Sequence, residues 1–239
     1  CVFNVVIVDV EIPQISNCPS EDINTNTNLD ANQGVATWSA ITATDVVDGS
    51  VTVVESHSSG DLFSLGTTTV TVTSTDAAGN VASCSFDVIV GDNQLPSWSS
   101  CPSDVSIGTD AGVNYAVVTW SEPSASDNVG VASTSSSDAS GDQFVVGATV
   151  VTYTATDAAG NSGTCSFIVT VSDDEAPIIN SCPSDKTGSA ILGTNATLIS
   201  WSGVSVSDNV DSSITATSNI ASGSSFLVGV TVVTYTATD

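Results

Sequence analysis

The chain has 239 residues, 26 of them acidic and only one, Lys186, basic, for a formal charge of −25. Nucleic acid and anionic membrane surfaces require clustered Lys and Arg, so both are excluded as natural partners. With one His, one Lys, no Arg, no G-x-S-x-G elbow and no phosphate loop, the sequence offers no catalytic constellation and reads as a non-enzyme.

The natural complement of so acidic a surface is a cation, and Ca²⁺, which takes oxygen ligands, fits best. The alternative is that the acid keeps an exposed surface soluble. Hydrophobic residues make up 41% of the chain and charged ones 11%. Ser and Thr fill the gap, a polar, uncharged surface suited to an extracellular, secreted or cell-surface protein and offering many hydroxyls for O-linked sugars. The one N-x-S/T sequon is Asn195-Ala196-Thr197, a glycosylation candidate. No run reaches the eighteen or so apolar residues of a membrane span.

The chain repeats itself. GTTTVTVTSTDAAGNVASCSF at 66–86 returns as GATVVTYTATDAAGNSGTCSF at 147–167 and as GVTVVTYTATD at 229–239. Cys18 and Cys101 lie 83 positions apart, Cys101 and Cys182 81. A period of about 82 residues is too long for a solenoid unit and suits one small β-sandwich.

The middle repeat serves as the template, in chain order. Cys101-Pro102 opens it, and Val105 and Ile107 alternate with polar residues in a first strand. Tyr115 to Trp120 is a second, rich in β-branched and aromatic residues. SEPSASDNVG at 121–130 reads as a loop. Val131 to Ser137 is a polar edge strand, Gln143 to Val146 a short one. Ala148 to Thr156 alternates strongly, DAAGN at 157–161 turns, and Thr164 to Val171 is the last strand. No helical period appears. Trp38, Trp120 and Trp201 share one station, Phe63, Phe144 and Phe226 another, Phe3, Phe86 and Phe167 a third, and these aromatics read as one core set per sandwich. Trp98, in a linker with no counterpart, reads as a contact for something outside.

The CPSD opening at 101–104, Trp120, Pro123, Asp127 and Asn128 in W-x-x-P-x-x-x-D-N, Phe144 to Gly147, and the closing T-A-T-D-A-A-G-N-x-x-x-C-S-F together resemble the hyalin repeat family over essentially the whole chain. The resemblance implies an all-β chain of tandem immunoglobulin-like β-sandwich domains, extracellular and associated with adhesion and matrix. Ala40 and Asp45-Val46 in the first repeat, and Gly203 in the third, depart from the loop motif. The repeats are expected at 10–92, 93–173 and 174–239. Residues 1–9 form the last strand of a preceding or neighbouring repeat.

Cys18–Cys84 and Cys101–Cys165 are the expected intradomain disulfides, each closing a loop of about 65 residues in an oxidising compartment. Cys1 and Cys182 are left over. Cys1 opens CVFNVVIVD, which matches CSFIVTVSD at 165–173; the third repeat stops at Asp239, eight positions short of its expected cysteine. Two explanations fit: a window cut from a longer polymer, or subunits joined head to tail by strand addition, with Cys1 and Cys182 as an intersubunit disulfide. Both give an open-ended fibre or stalk whose partner is a further copy of itself, with extracellular matrix or carbohydrate as further partners. The alternative is a monomeric adhesin that grips carbohydrate or a protein through its loops or Trp98.

In an immunoglobulin-like sandwich the loop after the second strand, the final hairpin turn and the incoming linker share one end. That gathers Asp9, Glu11, Asp45, Asp76 and Asn80 at the first joint. At the second it gathers Asp92, Asp127, Asn128, Asp157 and Asn161, and at the third Asp173, Asp174, Glu175, Asp208, Asn209 and Asp239. Bound Ca²⁺ would relieve their repulsion and stiffen the joints. Turn formation alone is the competing explanation.

Overall fold

The structure, a computed structural model, describes residues Cys1–Asp239. Every regular element is a β-strand, as the alternation required. The chain forms two compact units: Cys1–Ser100 with Pro123–Ser135 and Tyr153–Cys165, and Cys101–Glu122 with Ser136–Thr152 and Ser166–Asp239.

The first unit holds a complete sandwich. One sheet orders Ile23–Asn26, Val81–Gly91, Gly66–Thr75 and Val53–Glu55. The first of these pairs parallel with the last-formed strand, Ile23 opposite Val88, and the two long strands pair antiparallel, Val70 opposite Phe86. The facing layer joins Gln14–Ser16, Thr42–Asp45 and Gly49–Val51, with Gln33–Val35 paired to Leu62–Ser64. Period-two alternation sets the core: Val70 and Val72 point inward and are buried, as are Phe63, Phe86, Val88 and Val90. Thr69, Thr71 and Thr73 take the opposite, wet face. Trp38 packs edge-on to Phe86 with ring centroids 5.1 Å apart, and Cys18 and Cys84, joined by a disulfide, flank the cluster. The hairpin turn Asp76–Asn80 needs a left-handed residue, and Gly79 supplies it at φ 94°.

Two expectations are corrected here. Ser124–Ser126, read as loop because Ser-Ala-Ser carries no strand signal, is a strand that pairs antiparallel with Ser97–Ser99. Trp98 sits in that partner strand, opposite Ala125. Its indole N–H donates to the Gly163 carbonyl at 3.1 Å, and its ring meets Tyr153 edge-on at 5.5 Å. Ile15, opposite Ala43, and Ile179, opposite Val206, hold the same station in the other repeats. Trp98 is therefore packed inward, not an outward contact.

In the second unit Val105–Gly108 pairs parallel with Ser162–Ser172, Val105 opposite Val169. Tyr115–Val117 pairs with Gln143–Val145. Trp120 packs on Phe144 and Phe167, the same aromatic set as in the first sandwich. The stretch from Ile178 onward has only short pairs: Ile178–Ser181 with Ser205–Ser207, Ala196–Leu198 with Ser225–Leu227, and Thr217–Ser218 with Tyr235–Thr236. Trp201, Phe226, Val233 and Tyr235 are only half-buried there.

Candidate functional site

Three aspartate triads recur with the repeat. Asp9, Asp45 and Asp76 offer carboxylate oxygens that all lie within 4.8 Å of one another, as do Asp92, Asp127 and Asp157, and Asp173, Asp208 and Asp239. Each triad takes one residue from the incoming linker, one from the end of the strand paired with the linker strand or from the position just after it, and one from the hairpin station: Asp76 just after Gly66–Thr75, Asp157 ending Gly147–Asp157, and Asp239 beyond the short Tyr235–Thr236. The linker member of the third triad is Asp173. Asp174, carried in the sequence-based ligand set, instead lays its carboxylate against the backbone of Gly108, where a Cβ would collide with it.

Turn chemistry accounts for half of each carboxylate. Asp45 Oδ1 accepts from the backbone N–H of Val47 and Asp48 at 2.8 and 3.1 Å. Asp127 Oδ1 does the same with Val129 and Gly130, and Asp208 Oδ1 with Val210 and Asp211. Asp9 and Asp92 each take a backbone N–H two residues on, from Glu11 and Gln94. The second oxygen of all five is buried and has no hydrogen-bond donor. Asp45 is only 8% exposed, so water does not pay for it either; a buried, unpaired carboxylate oxygen is costly unless something positive meets it.

The hairpin members are held differently. Asp157 accepts from the Asn161 backbone N–H at 2.8 Å and from its Nδ2 at 2.7 Å; Asp76 and Asn80 repeat this at 2.7 Å each. Desolvation pushes both carboxyls up, but the side-chain and backbone bonds from these asparagines, with the neighbouring backbone N–H groups, outweigh it and hold both below the ordinary aspartate value. They stay ionised at neutral pH. Asn80 and Asn161, gathered by sequence as oxygen donors, thus spend their amides on orienting the aspartates and the linker carbonyls of Asp9 and Asp92.

Oxygens on opposite sides of one Ca²⁺ are about 5 Å apart, since Ca–O distances are about 2.4 Å. The triad spacing lets one such ion reach all three carboxylates. Orphaned hard oxygens with no thiolate or imidazole among them suit Ca²⁺ rather than a softer metal. Sequence reasoning missed one device at the joints: Gln94 Oε1 accepts from the Asp30 N–H at 3.0 Å, and Glu175 Oε2 from the Gly112 N–H at 2.8 Å. Both follow a triad aspartate by two residues, a spacing visible in the chain but without a motif to mark it.

The cysteines sort as expected from the repeats. Cys18 and Cys84 are bonded across 66 positions with Cα atoms 6.7 Å apart. Cys101 and Cys165 are each disulfide-bonded, while Cys1 and Cys182 are free and exposed. Next to Cys182 lies an open groove of about 730 Å³, lined by Ile199, Trp201, Phe226, Val233 and Tyr235 among others. Val2 to Val8 stands in solvent, with Phe3 81% exposed although its counterpart Phe86 is 6% exposed. Asn195 is exposed, as a glycan acceptor must be. No helix is long and apolar enough to cross a membrane.

The model of the HYR domain family matches residues 8–90, 91–171 and 172–239. Hyalin of Strongylocentrotus purpuratus is 35% identical over 247 aligned residues, covering 100% of this chain and 20% of that protein. Hyalin of Lytechinus variegatus is 34% identical over 244, covering 99% and 46%. The chain spans less than half the length of these relatives. Among solved structures, mouse cadherin-23 EC22-24 aligns with a TM-score of 0.34 at 14% identity, over 88% of this chain and 83% of that one.

Proposed function

The chain belongs to the HYR domain family, and from that premise we propose that it is a non-enzymatic, extracellular structural protein, a subunit or segment of a fibre or tandem stalk. Its sandwiches span 10–92, 93–173 and 174–239 and are completed head to tail. Residues 1–9 supply the last strand to the third-repeat groove of another copy, and Ca²⁺ at the three aspartate triads stiffens the joints.

One observation carries this reading. The segment Cys1–Val8 presents to solvent the apolar face that Cys84–Gly91 buries in the first sandwich. Residues 182–235 form an open groove, lined in part by Ile199, Trp201, Phe226, Val233 and Tyr235, with Cys182 free beside it. Cys1 and Cys182 hold the stations of Cys84 and Cys18, which are bonded. Strand addition would satisfy the edge backbone groups, bury an exposed apolar ladder and close a disulfide. The inward packing of Trp98 removes the side chain that most favoured a carbohydrate-gripping adhesin.

Oxidised protein digested without reductant tests it. A Cys1–Cys182 peptide joining differently isotope-labelled copies, in material that runs as a ladder, is the expected result. Monomeric protein with both thiols free contradicts it.

A further inference from the structure

The three joints differ at one position that neither the strand exchange nor the bare triads explain. The residue after the loop aspartate is Asn128 in the second joint, Asn209 in the third and Val46 in the first. Asn128 Nδ2 donates to the Ala31 carbonyl at 2.9 Å and to Thr27 Oγ1 at 3.2 Å, both on a loop of the preceding repeat. Asn209 Nδ2 does likewise with the Val113 carbonyl at 2.9 Å and Thr109 Oγ1 at 3.1 Å. A backbone carbonyl can only accept, so it fixes which end of each amide faces it. The other end, Oδ1, is buried in both residues and has no donor. Asn128 also touches the triad directly, Nδ2 lying 3.4 Å from Asp92 Oδ1. Val46 has neither a hook nor an oxygen and is 81% exposed.

We propose that Asn128 and Asn209 are the fourth side-chain ligands of the second and third cation sites, and that a bound divalent ion, Ca²⁺ by its oxygen set, clamps each joint by fixing the amide that grips the preceding repeat's loop. This rests on the calcium reading of the triads. An ion drawing on Oδ1 polarises the amide and strengthens its Nδ2 bonds, so ion binding and loop docking support each other. The first triad, with a valine at this position, binds by carboxylates alone and grips nothing through it. The chain therefore carries two coupled joints and one simple cation site.

Calorimetric titration of the full chain with Ca²⁺ and hydrogen exchange with and without the ion test this together. Wild type is expected to bind two ions more tightly than a third, and to gain protection on Ca²⁺ at Thr27–Gln33 and at Thr109–Val113. Asn128→Val weakens one tight site by about tenfold, the scale of one lost ion–oxygen contact. It also abolishes the gain at Thr27–Gln33 and leaves that at Thr109–Val113. Asn128→Asp keeps an oxygen for the ion but sets a second oxygen against the Ala31 carbonyl, so Ca²⁺ still binds while protection at Thr27–Gln33 is lost. A cooperative melting transition in chelator shows that the variants fold. If Ca²⁺ binds but Asn128→Val leaves both affinity and protection as in wild type, the clamp is wrong and the triad reading stands. If wild type binds no Ca²⁺ at all, both fall.

Discussion

The first and third repeats carry the same stations and differ in what closes them. In the first, Val81–Gly91 runs between Ile23–Asn26 and Gly66–Thr75, and Phe63, Val70 and Val72 are buried beneath it. In the third, Phe226, Val233 and Tyr235 occupy those stations half-buried, and Trp201 spends its indole N–H on the Tyr235 hydroxyl. The first sandwich is thus a two-part object. Its first eight strands supply a groove, and the strand that carries Cys84 and Phe86 supplies the wedge that turns the groove into a core. The exposed segment at residues 1–8 has the sequence of such a wedge.

Removing the wedge's anchor should have the largest effect. Phe86→Ala takes away the ring that packs on Trp38 and is expected to cost about 3–5 kcal/mol of the first sandwich's stability in urea unfolding. Phe3→Ala, at the equivalent but exposed station, should leave the unfolding of isolated chains unchanged and, on the proposed strand exchange, abolish end-to-end association. Equal destabilisation by both would erase the distinction between the two repeats. Replacing Cys18 and Cys84 together by Ser should cost about 3 kcal/mol, read as a lower urea midpoint. The pair Cys1 and Cys182 replaced by Ser should shift no midpoint in the unassembled chain.

Ca²⁺ sharpens the same contrast from the joints. At a hundredfold excess over its dissociation constant a single bound ion adds about 2.7 kcal/mol, so the melting temperature should rise on adding Ca²⁺ and fall back with chelator. Asp45→Asn should remove the first site's share of that rise and leave the rest. The smallest effect concerns acid. Asp76 and Asp157 have folded values held below 3.8, so their contribution is fully present above the unfolded value and is lost as pH falls through the lower, folded one. In chelator, Asp76→Asn should melt below wild type at neutral pH, with the gap closing as the pH falls below the ordinary aspartate value. A gap that widens in acid would reverse the sign of the account.

The long strands were legible because period-two alternation in GATVVTYTATD states both strand and face. The disulfides and aromatic sets were legible because they recur with the repeat. Ser124–Ser126 was not, since a three-residue Ser-Ala-Ser strand is fixed by its partner at Ser97–Ser99 and not by its own composition. Trp98 misled because its counterparts Ile15 and Ile179 are aliphatic, so an inward station looked like an unmatched aromatic. The sequence brought the linker, loop and hairpin aspartates to one end because the sandwich topology puts those three segments there. The choice between Asp173 and Asp174 depended on which carboxylate turned towards the joint, and only the close approach at Gly108 decides that. The unpartnered oxygens were invisible in the sequence, because a turn-forming Asp and a ligating Asp share the same motif until their second oxygen is accounted for.

The most direct measurement adds a free peptide of residues 1–12 to the full chain under mild oxidation and follows the assembly by mass and Trp fluorescence. The account predicts that the peptide occupies the third-repeat groove and becomes disulfide-bonded to Cys182. It also predicts that the peptide blue-shifts Trp201 emission and shortens the polymers by capping them. A peptide that leaves Trp201 emission and polymer mass unchanged, and that forms no Cys182 adduct, would contradict it.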